Sequence, residues 1–209
     1  MKVMTLPLAS ALVDMETQVS LVRGSSPFYG VGSNDDYHWG ETGAYQQVYR
    51  EDAIPLGEDA SAGDWNAGFL FRSVDIQRVA TINEAHLTLT SEDAYSDALN
   101  VRIFGAAMPS GIVTPATYTQ AGDLVPTLAY VDWSIPSALP WTQYQEVDSP
   151  NIASILQELV NRKDWKRKNN MHIYIQDIDT ATGSVRKACS IRKSSGVYKP
   201  ELHVSFMES

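Results

Sequence analysis

The feature that most constrains this chain is the alternation of apolar and polar residues in several short segments. Residues 84–90 place Ala85, Leu87 and Leu89 on one face and polar side chains on the other. The same period recurs in 99–103, 171–176 and 202–206, and shorter strand-like runs occupy 18–23, 45–50, 69–74 and 185–191. A period of two indicates β-strands with one buried face. Many such strands separated by turn residues predict an all-β sandwich.

One convincing helical pattern spans residues 150–161. Its apolar residues recur at helical spacing and form a single stripe, which consists of Ile152, Ile155, Leu156, Leu159 and Val160. Ser149 is suited to cap the helix and Pro150 to occupy its first position. We predict an amphipathic helix over about 150–161 that caps the core of a jelly-roll sandwich. A partner-binding helix is the alternative.

The length of 209 residues suits one large sandwich. We predict an N-terminal arm over residues 1–17 and a single jelly-roll domain over 18–209. Two stretches, 24–42 and 105–140, are rich in turn-forming and aromatic residues and are predicted to be irregular. The single cysteine, Cys189, excludes an internal disulfide and is expected to be a small buried hydrophobe rather than a reactive thiol.

The net charge of −9 is unevenly distributed, because 20 of the 25 acidic but only 6 of the 16 basic residues precede residue 160. An acidic body lacks the broad basic surface that phosphates require, so we expect no nucleic-acid partner. This uneven distribution of charge favours contacts with oppositely charged neighbours, although solvated charged faces are the alternative. No apolar run reaches the length of a membrane span. Residues 1–11 imitate an export signal that Pro7 interrupts, so we expect no cleaved signal peptide.

Motifs of catalysis are missing from the sequence. It has no nucleophile elbow, no phosphate-binding glycine loop and no zinc-type spacing of cysteine and histidine. We therefore predict a non-enzymatic protein with no catalytic residue, cofactor or assigned metal. An enzyme is a further alternative that rests only on carboxylates without an assigned role.

Two groups of side chains nevertheless suggest cation binding. The acidic residues of Gly-rich stretches offer oxygen ligands for calcium or are simply solvated; they are Asp35, Asp36, Glu58, Asp59 and Asp64. Of the four histidines, His86, His172 and His203 lie on the polar phase of predicted strands, whereas His38 does not. If those strands adjoin, a cross-strand histidine cluster could bind a metal ion. Exposed or hydrogen-bonded histidines are the alternative.

Aromatic residues are the best candidates for recognition. Tyr37, Trp39, Trp65 and Trp133 lie in stretches that read as loops, and we predict that they bind a glycan or a partner. A flat ring at a loop tip can stack on a sugar while neighbouring polar side chains bond its hydroxyl groups. The alternative is that these amphipathic rings close the ends of the sandwich.

The order of several motifs resembles DNRLRE-type modules, which are jelly-roll sandwiches similar to carbohydrate-binding modules and occur in bacterial surface and phage proteins. Residues 149–151 read Ser-Pro-Asn, 157–160 read Gln-Glu-Leu-Val before Trp165, 186–190 read Arg-Lys-Ala-Cys-Ser, and 200–204 read Pro-Glu-Leu-His-Val. The likeness spans about 64–206. It departs at Lys163-Asp164, where the family has Pro-Gly.

This resemblance implies a module of secreted, cell-surface or virion proteins without a catalytic residue. We predict a structural or adhesive phage protein of the virion surface, such as a capsid decoration, head fibre or tail component. Its partners would be capsid or tail proteins, further copies of itself and a surface glycan, and its location the virion surface or the extracellular space. The alternative is a carbohydrate-binding module for a cell-surface or cell-wall polysaccharide.

Overall fold

The computed structural model describes residues 15–20, 35–59, 62–108, 115–178 and 183–208. Its strands and helices are β1 (Met15–Ser20), β2 (Asp36–Gly40), β3 (Ala53–Asp59), β4 (Gly63–Val74), β5 (Thr81–Thr90), β6 (Leu99–Ala106), α1 (Tyr118–Gly122), β7 (Pro126–Ile135), β8 (Glu146–Asp148), α2 (Ala153–Asn161), β9 (Asn169–Asp177), β10 (Val185–Cys189) and β11 (Glu201–Met207). Short 3-10 turns occupy Gly43–Tyr45 and Lys193–Gly196.

The strands form two antiparallel sheets. A four-stranded sheet has the order β1-β11-β5-β8, and the second sheet has the order β10-β3-β4-β9-β6-β7, with β2 also pairing with β4. Most neighbours are distant in the chain; for example, Phe69 of β4 lies opposite Ile173 of β9. The predicted all-β jelly-roll sandwich is therefore confirmed.

The core lies between the sheets and is built from the alternating apolar residues. Leu87, Leu202 and Val204 of the four-stranded sheet are buried together with Phe69 and Ile173 of the larger sheet. Each such side chain stabilises the fold by roughly 1.5–3 kcal/mol through the apolar surface it removes from water. The predicted alternation of inward-facing and outward-facing side chains along these strands is therefore confirmed.

Helix α2 packs against β5, β6 and β7 and closes one side of the sandwich with Ile155, Leu156, Leu159 and Val160. The predicted capping role is confirmed, but the helix begins at Ala153 rather than Pro150. Asn151 Oδ1 accepts from the Ala153 N–H at 2.9 Å, whereas Ser149 Oγ accepts from the Leu87 N–H at 2.9 Å. Ser149 therefore ties the chain to the sheet instead of capping the helix.

The prediction that 105–140 is irregular is wrong for the ten residues of β7. Ala129, Val131, Trp133 and Ile135 point towards the core in alternation with exposed residues. Pro126 begins the strand at a sheet edge, where a missing N–H is tolerated. Two smaller corrections concern 45–50, which forms no continuous strand, and 36–40, which forms β2 rather than a loop.

The predicted division at residue 17 stays a prediction, because residues 1–14 lie outside the described part of the chain. Strand β1 begins at Met15 and pairs with β11, so the last three residues of the predicted arm belong to the four-stranded sheet. Cys189 is buried in β10, and burial raises the pKa of its thiol to about 11, as expected of an unreactive cysteine. Among the described residues, no helix has the length and apolarity to cross a membrane.

Candidate functional site

The four predicted recognition residues all lie in strands, not in loops. Tyr37 and Trp39 belong to β2, Trp65 to β4 and Trp133 to β7, and none is more than 7% exposed. The loop placement was wrong because turn-forming neighbours such as Gly, Asn and Asp obscured the strands in which these residues lie. Trp133 lies in the main core beside Trp141, with ring centroids 6.3 Å apart. The structure therefore does not bring the four together, and their part in binding stays a prediction.

Tyr37 and Trp39 belong to a second apolar cluster that is separate from the main core. Their rings stack with centroids 5.6 Å apart, and the Tyr37 hydroxyl lies 2.8 Å from His172 Nε2. The Tyr37 ring lies directly over Gly68, where a Cβ would come within 2.3 Å of it. Burial of these rings agrees with the alternative in which aromatic residues close the sandwich.

An open pocket of about 180 Å³ lies near the start of β4. Its walls come from β2, β3, β4, β10 and the segment 45–51, and its lining residues are His38, Tyr45, Tyr49, Glu51, Ala53, Pro55, Asp59, Trp65 and Lys187. Trp65 is the one predicted recognition residue that reaches it. Because four of the lining residues are aromatic and three carry charge, this pocket is the candidate functional site.

The aromatic wall of the pocket is built on a backbone bridge. His38 and Tyr49 exchange two backbone hydrogen bonds of 3.1 and 2.8 Å, which hold their rings parallel with centroids 5.3 Å apart. Trp65 meets both rings edge-on, at 5.3 and 6.0 Å. Tyr45 in turn contacts Trp65 edge-on at 5.6 Å. The four rings therefore support one another as a single rigid wall.

Asp59 fixes the indole ring in this wall. Its Oδ2 accepts from Trp65 Nε1 at 2.8 Å, and its Oδ1 accepts from the Ala62 N–H at 2.7 Å. The carboxylate is thus committed to two hydrogen bonds within the protein. Asp59 therefore positions an aromatic ring, which differs from its predicted part as a calcium ligand or a solvated acid.

Two charged side chains of the pocket remain available to a ligand. The side chains of Glu51 and Lys187 are exposed at the rim, and neither forms a hydrogen bond with another described residue. Burial, and then the charge of Lys187, lower the pKa of His38 to about 4, so its imidazole is neutral at pH 7. His38 Nδ1 is buried with no hydrogen-bond partner among the described residues. Because this nitrogen has almost no exposed surface, His38 contributes its ring to the pocket rather than a hydrogen bond from Nδ1.

Sequence reasoning missed Tyr45, Tyr49 and His38 as members of one site. Residues 45–50 were predicted to form a strand, and His38 was not among the predicted recognition residues. These side chains come together because residues 38 and 49 form an isolated β-bridge. No pattern in the neighbouring sequence predicts that bridge. The available signal was a pair of tyrosines four residues apart, Tyr45 and Tyr49, close to acidic residues.

Three carboxylates outside the pocket come together at the ends of strands. Glu58, Asp64 and Asp177 have ligand oxygen atoms within 4.8 Å of one another and could hold a divalent cation such as calcium. Burial and the charge of Glu41 raise the pKa of Asp64. Glu58 and Asp64 were predicted from the sequence as possible calcium ligands, whereas Asp177, which lies in β9, was not.

Asp35 and Asp36, also predicted as loop acids, are buried instead. The Arg72 Nε–H is shared between the two carboxylate oxygens of Asp35, each at 2.8 Å from Nε. Asp36 Oδ2 accepts from the Ile191 N–H, but its Oδ1 has no hydrogen-bond partner among the described residues. Burial raises the pKa of Asp36 to about 7. The protein thus contains a carboxyl group that costs stability when it ionises.

The stability of the Asp36→Asn variant relative to the parent protein should therefore increase as the pH rises. Between 3.8 and about 7, Asp36 is ionised in the unfolded chain but protonated in the fold. Linkage then lowers the free energy of unfolding of the parent protein by at most about 1.4 kcal/mol per pH unit. The free energy of unfolding of both proteins should be measured in urea from about pH 4 to about pH 8. The difference in favour of the variant should increase up to about pH 7 and then stay constant.

Asp123→Asn, which changes an exposed aspartate, is the matched control and should show no such gain. An Asp36→Asn difference that is the same at acid and neutral pH would contradict the raised pKa.

Together, the fold and the pocket define a jelly-roll β-sandwich with a small aromatic pocket. No protein-family model matches the chain, and no curated protein is similar to it in sequence. Among solved structures it is similar to the crystal structure of a carbohydrate-binding module specific for non-crystalline cellulose, with a TM-score of 0.30 and 15% identity over 75% of this chain and 73% of that chain. So distant a likeness carries no argument about ligands, and the resemblance to DNRLRE-type modules stays a prediction.

Proposed function

We propose that this protein is a carbohydrate-binding module whose aromatic pocket holds a single sugar residue. The observation that carries the proposal is the wall of four mutually supporting rings beside the exposed charged groups of Glu51 and Lys187. Of the two functions that the sequence suggested, this is the one for which a site can be named.

The chemistry of the pocket matches the two sides of a pyranose ring. Its C–H face is apolar and packs on the half-buried rings of Tyr45 and Tyr49, whose aromatic surfaces provide rigid contact area. Its hydroxyl groups bond to the carboxylate of Glu51 and the ammonium group of Lys187. A few convergent polar groups in an aromatic pocket are typical of small-molecule sites.

The size of the pocket favours one sugar residue over an extended chain. At about 180 Å³ it is smaller than the roughly 300–1,000 Å³ of pockets for drug-sized ligands. A chain end or a side branch of a polysaccharide fits this size better than several consecutive residues do.

The two carboxylates of the pocket favour binding without bond cleavage. A glycosidase needs one carboxyl group as acid and another as base or nucleophile. Both oxygen atoms of Asp59 already accept hydrogen bonds from Trp65 and Ala62, which leaves Glu51 as the one free carboxylate of the pocket. This supports the predicted absence of an enzymatic activity.

Tyr49→Ala should abolish most glycan retention. A glycan array with the full chain first identifies a ligand, and calorimetry with that glycan then compares variants. We expect Tyr49→Ala to weaken binding at least about 10-fold, equivalent to about 1.4 kcal/mol, because it removes a stacking surface. Glu51→Gln should weaken it less, because the amide still accepts a hydrogen bond.

Tyr130→Ala is the matched control, because Tyr130 is a half-exposed tyrosine on β7 that does not line the pocket. It should bind the glycan as the parent does. An array without any ligand, or equal binding by the Tyr49 and Tyr130 variants, would contradict the proposal. Unfolding curves of both variants exclude loss of fold as the cause.

A structural role on a phage virion is the second candidate. It would require contacts between copies, for which apolar side chains are exposed along and before the edge strand β7; they are Val125 at 53%, Leu128 at 90% and Tyr130 at 50% exposure. Such a patch is suited to contact a second copy of the chain. Sedimentation of the parent and a Leu128→Lys variant tests this proposal, which requires an oligomer that the variant loses.

A further inference from the structure

The side chains that line the aromatic pocket carry more negative than positive charge. They include two carboxylates, Glu51 and Asp59, but a single ammonium group, that of Lys187. His38 adds no charge at pH 7, because burial and then the charge of Lys187 lower its pKa to about 4. The pocket therefore has one negative charge in excess before any ligand binds.

The aromatic rings add to this negative character. The face of an aromatic ring is negative and attracts a cation. Tyr45 and Tyr49 line the pocket and are only half-buried, so both rings are accessible from it. Tyr49 Oη accepts from Gln47 Nε2 at 2.7 Å and donates to the Ala44 carbonyl oxygen at 3.3 Å. Tyr49 therefore offers a ligand its ring rather than its hydroxyl group.

Glu51 presents its carboxylate to the pocket without a neighbouring cation. Its side chain is exposed and forms no ion pair with a described residue, although Lys187 lines the same pocket. A ligand with an ammonium group would bind this carboxylate through a charge-assisted hydrogen bond. A ligand with a carboxylate could bind Lys187, but it would add a second excess negative charge beside the negative ring faces. Of the two kinds of charged ligand, the cation is therefore favoured.

We propose that the sugar residue held by this pocket is an amino sugar with a free ammonium group, which binds the Glu51 carboxylate beside the rings of Tyr45 and Tyr49. This inference rests on the proposed function, because it names the class of sugar that the same pocket selects. Lys187 donates to hydroxyl oxygen atoms of the sugar, which carry no net charge. A neutral sugar of the same shape can pack on the rings, but it lacks the charged contact with Glu51.

Calorimetry with two matched ligands tests this inference. The full chain is titrated with a short oligosaccharide of glucosamine and with its N-acetylated counterpart, at about pH 6, where ordinary amines are protonated. We expect the amino form to bind about 5-fold more tightly, because only its ammonium group pairs with Glu51. Added salt should reduce this preference, since charge pairs at an exposed rim are screened.

Glu51→Gln should abolish the preference. We expect it to weaken binding of the amino form about 5-fold and to leave binding of the acetylated form nearly unchanged, because the amide still accepts a hydrogen bond. Tyr49→Ala should instead weaken binding of both forms, because both pack on its ring. Glu51→Gln should unfold like the parent, since it changes an exposed position.

Glu84→Gln is the matched control for the charge of the whole protein. A chain with a net charge of −9 attracts any cationic oligosaccharide to some extent. Glu84 is an exposed acid of β5 that does not line the pocket, and its substitution changes the net charge as much as Glu51→Gln does. The Glu84→Gln variant should keep the preference of the parent. An equal loss of preference in the two variants would overturn the inference.

The remaining outcomes distinguish this inference from the proposed function. If the acetylated form binds as tightly as the amino form or more tightly, and Tyr49→Ala still weakens its binding, the ammonium contact is wrong but the sugar pocket stands. The same conclusion follows if neither oligosaccharide binds while another, uncharged glycan binds and depends on Tyr49. If no glycan on the array binds at all, the proposed function fails and this inference fails with it.

Discussion

Gly57→Ala should destabilise the protein by about 3 kcal/mol or more, from backbone strain and overpacking together. Gly57 lies in β3 with a φ of +99°, a conformation that L-residues rarely adopt. An added Cβ would also lie 2.0 Å from the carbonyl oxygen of Ser184, which belongs to the backbone and cannot swing aside. At this glycine β3 passes from its pairing with β10 to its pairing with β4.

Gly43→Ala is the matched control for this prediction. Gly43 also has a positive φ, +54°, but an added Cβ would have no atom within 4 Å. Its cost should be the conformational strain alone, about 1 kcal/mol. Chemical unfolding of the parent and both variants gives the comparison. Equal losses at the two positions would show that the contact with Ser184 has no effect.

Arg186→Met should cost about 3 kcal/mol, because it removes a fully buried cation that holds two loops. The Arg186 guanidinium donates to the carbonyl oxygens of Asp97 at 2.8 Å and Leu139 at 2.9 Å, with a longer contact of 3.4 Å to Pro136. It also lies 5.1 Å from the centre of the Trp141 ring. Methionine fills similar space but leaves these carbonyl groups without donors.

Arg102→Met provides the control for Arg186→Met. Arg102 makes two hydrogen bonds to Asp132, of 2.6 and 2.9 Å, but both side chains are substantially exposed. A surface ion pair contributes about 0–1 kcal/mol, so this variant should unfold almost like the parent. Urea unfolding of both variants distinguishes the two cases. If Arg186→Met lost no more than Arg102→Met, the buried guanidinium would not be holding the loops.

The motif at residues 186–190 shows what the family resemblance could and could not predict. Its Arg-Lys-Ala-Cys-Ser pattern supported a strand, and β10 is found at Val185–Cys189. The pattern did not reveal that Arg186 is buried among carbonyl groups, because the acceptors lie in segments 47 to 89 residues away. Nor did it reveal that Lys187 lines a pocket with Trp65.

The candidate site shows the same limit more clearly. Trp65 was predicted as a recognition residue, and it does line the pocket, but its neighbours Tyr45, Tyr49 and His38 were not placed with it. Tyr37, Trp39 and Trp133 were grouped with Trp65 on composition, yet they belong to two different buried clusters. Composition indicates that aromatic rings are available for recognition. It does not indicate which rings share a surface.

The sequence by itself determined the fold class and most of the core, because strand alternation and the helical stripe are local consequences of which residues avoid water. Ala85, Leu87 and Leu89 point inward whatever their partner strands are. Only the tertiary structure decided that His86 meets His203 and that His38 meets Tyr49. These pairings join residues far apart in the chain, and antiparallel register, which sets them, depends on the packing of the whole sandwich.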